Sequence, residues 1–105
     1  MLDEWPKVLD IKYIRGDGAP WEWTLVGLGN IAGLASTLKI ESIGTLTGSV
    51  IDDELGTIGF DPDDLPALLT ATPGAYDYTM TLDPTGSQKR VVLEGQVLIR
   101  AARVP

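Results

Sequence analysis

Glycine and proline punctuate this chain so closely that it has little room for a helix. Twelve Gly and seven Pro fall within 105 residues, and turn signals recur at intervals of roughly 8 to 15 residues. A helix shorter than about 12 residues is marginal in water, whereas a strand of about five residues is ordinary. The segments between the breaks are therefore expected to be strands. Several of them alternate apolar with polar residues, which is the period of a half-buried sheet.

"WEWTLV" sets Trp21, Trp23 and Leu25 against Glu22, Thr24 and Val26. "TLKIES" sets Leu38 and Ile40 against Lys39 and Glu41. "AYDYTMTL" carries Tyr76, Tyr78, Met80 and Leu82 on one face. The closing strand, Lys89 to Arg100, alternates along its whole length, and Gly95 in its middle predicts a bulge or a close backbone approach. A first strand is expected over Val8 to Arg15, followed by a turn in "RGDGAP". The stretch "TGSVIDDELGTIGF" is expected to form a hairpin, with strands Thr47 to Ile51 and Thr57 to Phe60 joined by a turn from Asp52 to Gly56. "GLGNIAGLAS", Gly27 to Ser36, is read as a loop packed over one end of the core or against a partner. "DPDDLPALLTATPG" is the one helical candidate, with Asp61 or Asp63 as N-cap, and is too short to stand alone. It is expected to cross between two sheets. "DPTG", Asp83 to Gly86, is a turn with Pro84 in its second position.

About seven strands result, so the expected fold is an all-β, Ig-like Greek-key β-sandwich with one short helical crossover. The expected organisation is an N-terminal arm over residues 1–7, a sandwich over 8–100 and a C-terminal tail over 101–105. "LLTATPGAY" fits a tyrosine corner built from Leu69, Gly74 and Tyr76, in which the Tyr hydroxyl bonds back to the crossover backbone. Tyr78 stands where antibody-type domains carry a cysteine, and is expected to pack on Trp21 or Trp23.

The chemistry is bounded from below. With no Cys and no His, thiol nucleophiles, disulfides, zinc–thiolate sites and His-based acid–base catalysis are excluded. A formal charge of −7 opposes binding to nucleic acid phosphates. No stretch approaches the about 18 consecutive apolar residues of a membrane helix. The start, "MLDEWPKVLD", is read as carrying no signal peptide. Carboxylates cluster at Asp52, Asp53 and Glu54 and at Asp61, Asp63 and Asp64. Asp52, Asp53, Asp61 and Asp63 form a candidate Ca²⁺ set, although solvated turns and caps are the first reading, and no cofactor is expected. "RGD", Arg15 to Asp17, is read as part of its turn, and the Gly-x-Gly of "GLGNIAG" lacks the helix and lysine that a phosphate cradle needs. The candidate partner contacts are Trp5 beside Pro6 in the arm, with Arg100 and Arg103 near the other end. An exposed Trp beside Pro suits an interface anchor.

The order "IKYIRGDGAPWEWTL", "GSVIDDELGTIGF" and "TPGAYDYTMTLDPTGSQKRVVLEGQVLI" resembles the small Ig-like domains of tailed-phage structural proteins. It is most similar to the N-terminal domain of phage baseplate upper proteins, over roughly Ile11 to Ile99. The shared features are a strand with a "GD" turn, a late "G-x-Y-x-y" strand and a closing "G-x-v-x-I" strand. Gly18-Ala19-Pro20-Trp21 departs from the plain polar strand that follows "GD" in that family, and the family continues into a long second part where this chain stops at Pro105. The resemblance implies a small virion accessory protein, a tail or baseplate adaptor or a capsid decoration protein, assembled in the host cytoplasm. It would dock to other virion proteins, as a homo-oligomer within a symmetric assembly, and bind neither nucleic acid nor membrane. A carbohydrate-binding sandwich is the alternative, marked by two exposed, coplanar Trp.

Overall fold

The computed structural model describes residues 6–16, 19–25, 31–83, 85–86 and 89–101. Among them, nine strand segments build two facing sheets: β1 (Lys7–Val8), β2 (Ile11–Ile14), β3 (Trp21–Thr24), β4 (Ser36–Ile40), β5 (Gly44–Thr47), β6 (Ser49–Asp52), β7 (Thr57–Phe60), β8 (Gly74–Leu82) and β9 (Arg90–Arg100). The larger sheet runs β1-β9-β8-β4-β5, with β2 also paired to β9, and the smaller runs β3-β7-β6. Strands β9-β8-β4 over β3-β7-β6 have the order of the two halves of an immunoglobulin sandwich, so the protein is an all-β, Ig-like Greek-key sandwich.

The chain changes sheets between β2 and β3, β3 and β4, β5 and β6, and β7 and β8. The third change takes one residue. Gly48 lies between β5 and β6, and a Cβ on it would stand 2.5 Å from Ser36 Oγ and 2.7 Å from the Phe60 ring. A bare backbone is the only one that fits there. The change from β7 to β8 uses a 3₁₀ turn, Pro62–Asp64, and the one-turn helix α1, Ala67–Thr70. The Asp61 side chain caps the turn by accepting from the Asp63 N–H. Leu68 is fully buried and pins this crossover to the core.

The core lies between the sheets. Ile11, Tyr13, Leu38, Ile40, Leu46, Tyr78, Met80, Leu82, Val97 and Ile99 face Leu25, Ile58 and Phe60, with Ile31 and Leu68 closing it. Each such side chain contributes about 1.5–3 kcal/mol by leaving water. Strand β4 alternates buried Ser36, Leu38 and Ile40 with Thr37 and exposed Lys39, as its sequence pattern requires.

Four expectations change. The single first strand breaks at Leu9–Asp10 into β1 and β2, which both run parallel to β9. Lys7, assigned to the arm, already pairs with Leu93. The strand expected over Thr47 to Ile51 is divided, with Thr47 ending β5 in one sheet and Ser49 opening β6 in the other. Tyr78 makes no ring contact with Trp21 or Trp23: Trp21 meets Tyr13 edge-on at 5.7 Å, and Trp23 meets Phe60 at 5.9 Å.

Candidate interaction surface

Three fixed points shape the surface near the first strand. The break between β1 and β2 rides over Gly95. This glycine sits at φ +153°, and a Cβ on it would come within 2.3 Å of the Leu9 carbonyl oxygen. That is the close backbone approach that a mid-strand glycine predicts. The Leu9 N–H donates to the Glu94 carbonyl at 2.9 Å, the Leu9 carbonyl accepts from the Tyr78 hydroxyl at 2.5 Å, and the Asp10 carboxylate accepts from the Gln96 N–H at 3.1 Å. Burial, with the Asp10 and Glu94 carboxylates close by, pushes the Tyr78 phenol up to about 12. The neutral hydroxyl is the form that can donate to Leu9.

The tyrosine corner forms the second point. The Tyr76 hydroxyl donates to the Thr72 carbonyl at 2.5 Å, four residues upstream, and Gly74 opens β8 at φ +157°. The corner leucine is Leu68, fully buried, rather than Leu69, which is 44% exposed. Leu69 faces solvent because α1 turns only one of two adjacent leucines inward. Arg15 is the third point. Its Nη1 donates to the Ala71 carbonyl at 3.3 Å, and its N–H donates to the Arg100 carbonyl. Arg15 of the "RGD" thus ties the first strand to the crossover. Asp17 lies outside the described residues.

The two acidic groups fall at opposite ends of β7. Asp52 Oδ1 accepts from the Glu54 and Leu55 N–H groups, closing the β6–β7 turn. Asp61 caps the 3₁₀ turn at the far end. Among the described residues no three carboxylates group to hold an ion, and the set Asp52, Asp53, Asp61 and Asp63 is divided between the two turns. The acidic hairpin does expose apolar groups: Ile51 is 53% and Leu55 62% exposed. An open groove of about 550 Å³ lies beside it, lined by Ala32, Gly33 and residues 50–54.

Of the predicted partner contacts, Pro6 and Arg100 are exposed, at opposite ends of the first-strand edge. Trp5 and Arg103 lie outside the described residues. Trp21 and Trp23 are half-buried and tilted 52° to each other, turned toward Tyr13 and Phe60. They do not form the coplanar platform expected of a sugar-binding face. What sequence reasoning missed is β5, because "GTLT" is short and weakly apolar and gave no separate strand signal.

The fold is an Ig-like β-sandwich, and its acidic hairpin exposes apolar groups. Comparison with known protein families and with curated proteins finds no match to this chain.

Proposed function

We propose that this protein is a structural component of a tailed-phage virion, a small Ig-like accessory or adaptor that acts by protein–protein docking and catalyses no reaction. The observation that carries the reading is where the features of the resemblance fall in the sandwich. The "GD" pair falls in the chain between β2 and β3, the "G-x-Y-x-y" run begins β8, and the "G-x-v-x-I" run lies in β9. The domain docks through its N-terminal arm and through exposed apolar residues such as Ile51 and Leu55, while the net charge of −7 opposes non-specific aggregation.

Light scattering at low micromolar concentration tests this on the full chain and on a version lacking residues 1–5, which keeps the Lys7 pairing. A defined oligomer that becomes a monomer on truncation is the expected result, with Trp5 as the anchor. Two monomers would remove the arm from self-assembly. Failure to bind any virion protein would remove the reading.

A further inference from the structure

A sheet edge is a row of unpaired N–H and C=O groups, which folded proteins guard with prolines, charges or bulges. Among the described residues, three of this sandwich's four edges are guarded. The β1/β2 edge follows Pro6, carries Lys7 and Lys12, and breaks at Leu9–Asp10. The β3 edge follows Pro20 and carries Glu22. The β6 edge shifts register between Val50 and Asp52 and ends on a carboxylate. Strand β5 has no proline and no charge, and its register with β4 runs unbroken from Thr37↔Thr47 to Ile40↔Gly44.

The ladder also shows where the free groups of β5 point. In an antiparallel pair, alternate residues turn their N–H and C=O toward the neighbouring strand and the others turn away. The Gly48 N–H donates to the Ser36 carbonyl at 2.9 Å. Gly48, Leu46 and Gly44 therefore form the inward set, and Thr45 and Thr47 present their N–H and C=O outward. Both threonine side chains are exposed, while Leu46 is buried.

We infer that β5 is a self-association edge, at which a second copy of this chain adds its own β5 antiparallel about a two-fold axis at Leu46. Thr45 then faces Thr47 of the partner subunit, and the two residues exchange both backbone hydrogen bonds; the symmetric pair does the same. A second copy fits because β5 is neutral. Two chains of charge −7 repel, and self-pairing of β3 brings Glu22 toward its own copy, whereas β5 sets threonine opposite threonine, a favourable cross-strand pair. The contact is short, so it belongs to the weak, transient class and gains strength where a symmetric assembly holds copies together. The inference rests on the docking reading and sharpens it by naming an edge and a partner.

The test is amide hydrogen exchange by NMR on the full chain, from about 20 μM to about 1 mM, the range in which a small interface fills. The expected result is protection of the Thr45 and Thr47 amides that rises with concentration, with no such rise at β3 or β6. Thr45→Pro removes an outward donor that β4 does not use, and Thr45→Lys places a charge on the edge. Each is expected to weaken association roughly tenfold or more, while the Leu46 amide stays protected as proof of folding. Thr45 and Thr47 amides indifferent to concentration, protection rising at another edge instead, or protection that persists in folded Thr45→Lys would each overturn the inference. The arm truncation is read at low micromolar concentration, so either proposal can fail without the other.

Discussion

Gly95→Ala is the sharpest probe of how the first strand is held. The new methyl carbon would stand 2.3 Å from the Leu9 carbonyl oxygen, 2.9 Å from the Leu9 carbonyl carbon and 3.1 Å from Asp10 Oδ1. Ordinary contact begins near 3.4 Å, so the Leu9–Asp10 backbone must retreat by about 1 Å. Three hydrogen bonds depend on its position: Leu9 N–H to Glu94, Tyr78 hydroxyl to Leu9, and Gln96 N–H to Asp10. Each contributes about 1 kcal/mol net. An alanine at φ +153° adds about 1–3 kcal/mol of backbone strain, and the stiffer unfolded chain returns about 0.4–1 kcal/mol. With partial relaxation the expected loss is about 3 kcal/mol, which lowers Tm by roughly 12–24 °C for a domain of this size. Gly74→Ala separates the two causes. Gly74 has nearly the same φ, +157°, but nothing lies within 4 Å of the place its added methyl would occupy, so it carries the strain alone. Urea unfolding followed by Trp fluorescence gives both values. A Gly95→Ala variant within about 0.5 kcal/mol of Gly74→Ala would refute the claim that the Leu9 approach is tight.

Tyr78 supplies a pH test. Its folded pKa of about 12 lies above the ordinary tyrosine value of 10.0. Between those two values the unfolded chain has released a proton that the folded chain retains, so this contribution is whole below pH 10 and falls as pH rises through 12. Stability measured from pH 9 to pH 12 is expected to fall more steeply in the native chain than in Tyr78→Phe; equal slopes would exclude Tyr78 as the cause. Tyr76→Phe removes the corner bond to Thr72 and is expected to cost about 1 kcal/mol, read from the denaturant midpoint at unchanged m. Ser36 Oγ is buried without a hydrogen-bond partner, so Ser36→Ala is expected to leave stability unchanged or raise it by up to about 1 kcal/mol; a loss above that size in the same assay would show that the hydroxyl is satisfied.

Much of this was legible in local chemistry. Alternation placed Leu38, Ile40, Tyr78, Met80, Leu82, Val97 and Ile99 on the inner faces, because a strand's side-chain period is independent of its partner. The Asp52 and Asp61 caps were legible for the same reason, since an Asx turn closes within three residues. So was the turn at Asp83, where the Gly86 N–H donates back to the Asp83 carbonyl at 3.2 Å. In the candidate surface, the acidic hairpin turn was legible, but not the exposure of Ile51 and Leu55 beside it. Ile51, an apolar residue in a strand, reads as buried until its sheet is known to lie at the surface.

The sequence by itself determined most of the strands and turns, the Gly74 and Tyr76 of the tyrosine corner and the special position of Gly95, because each rests on φ/ψ preference or on period-two alternation within a few residues. Only the tertiary structure decided which sheet each strand joins, that Leu9 is what approaches Gly95, that Tyr78 reaches Leu9 rather than Trp21 or Trp23, and that β5, with no proline or charge of its own, lies at a sheet edge. Those outcomes depend on groups far apart in the chain, such as Leu9 and Tyr78 at a separation of 69 residues. Local preference carries no information about which of many compatible pairings buries the most surface while satisfying its backbone.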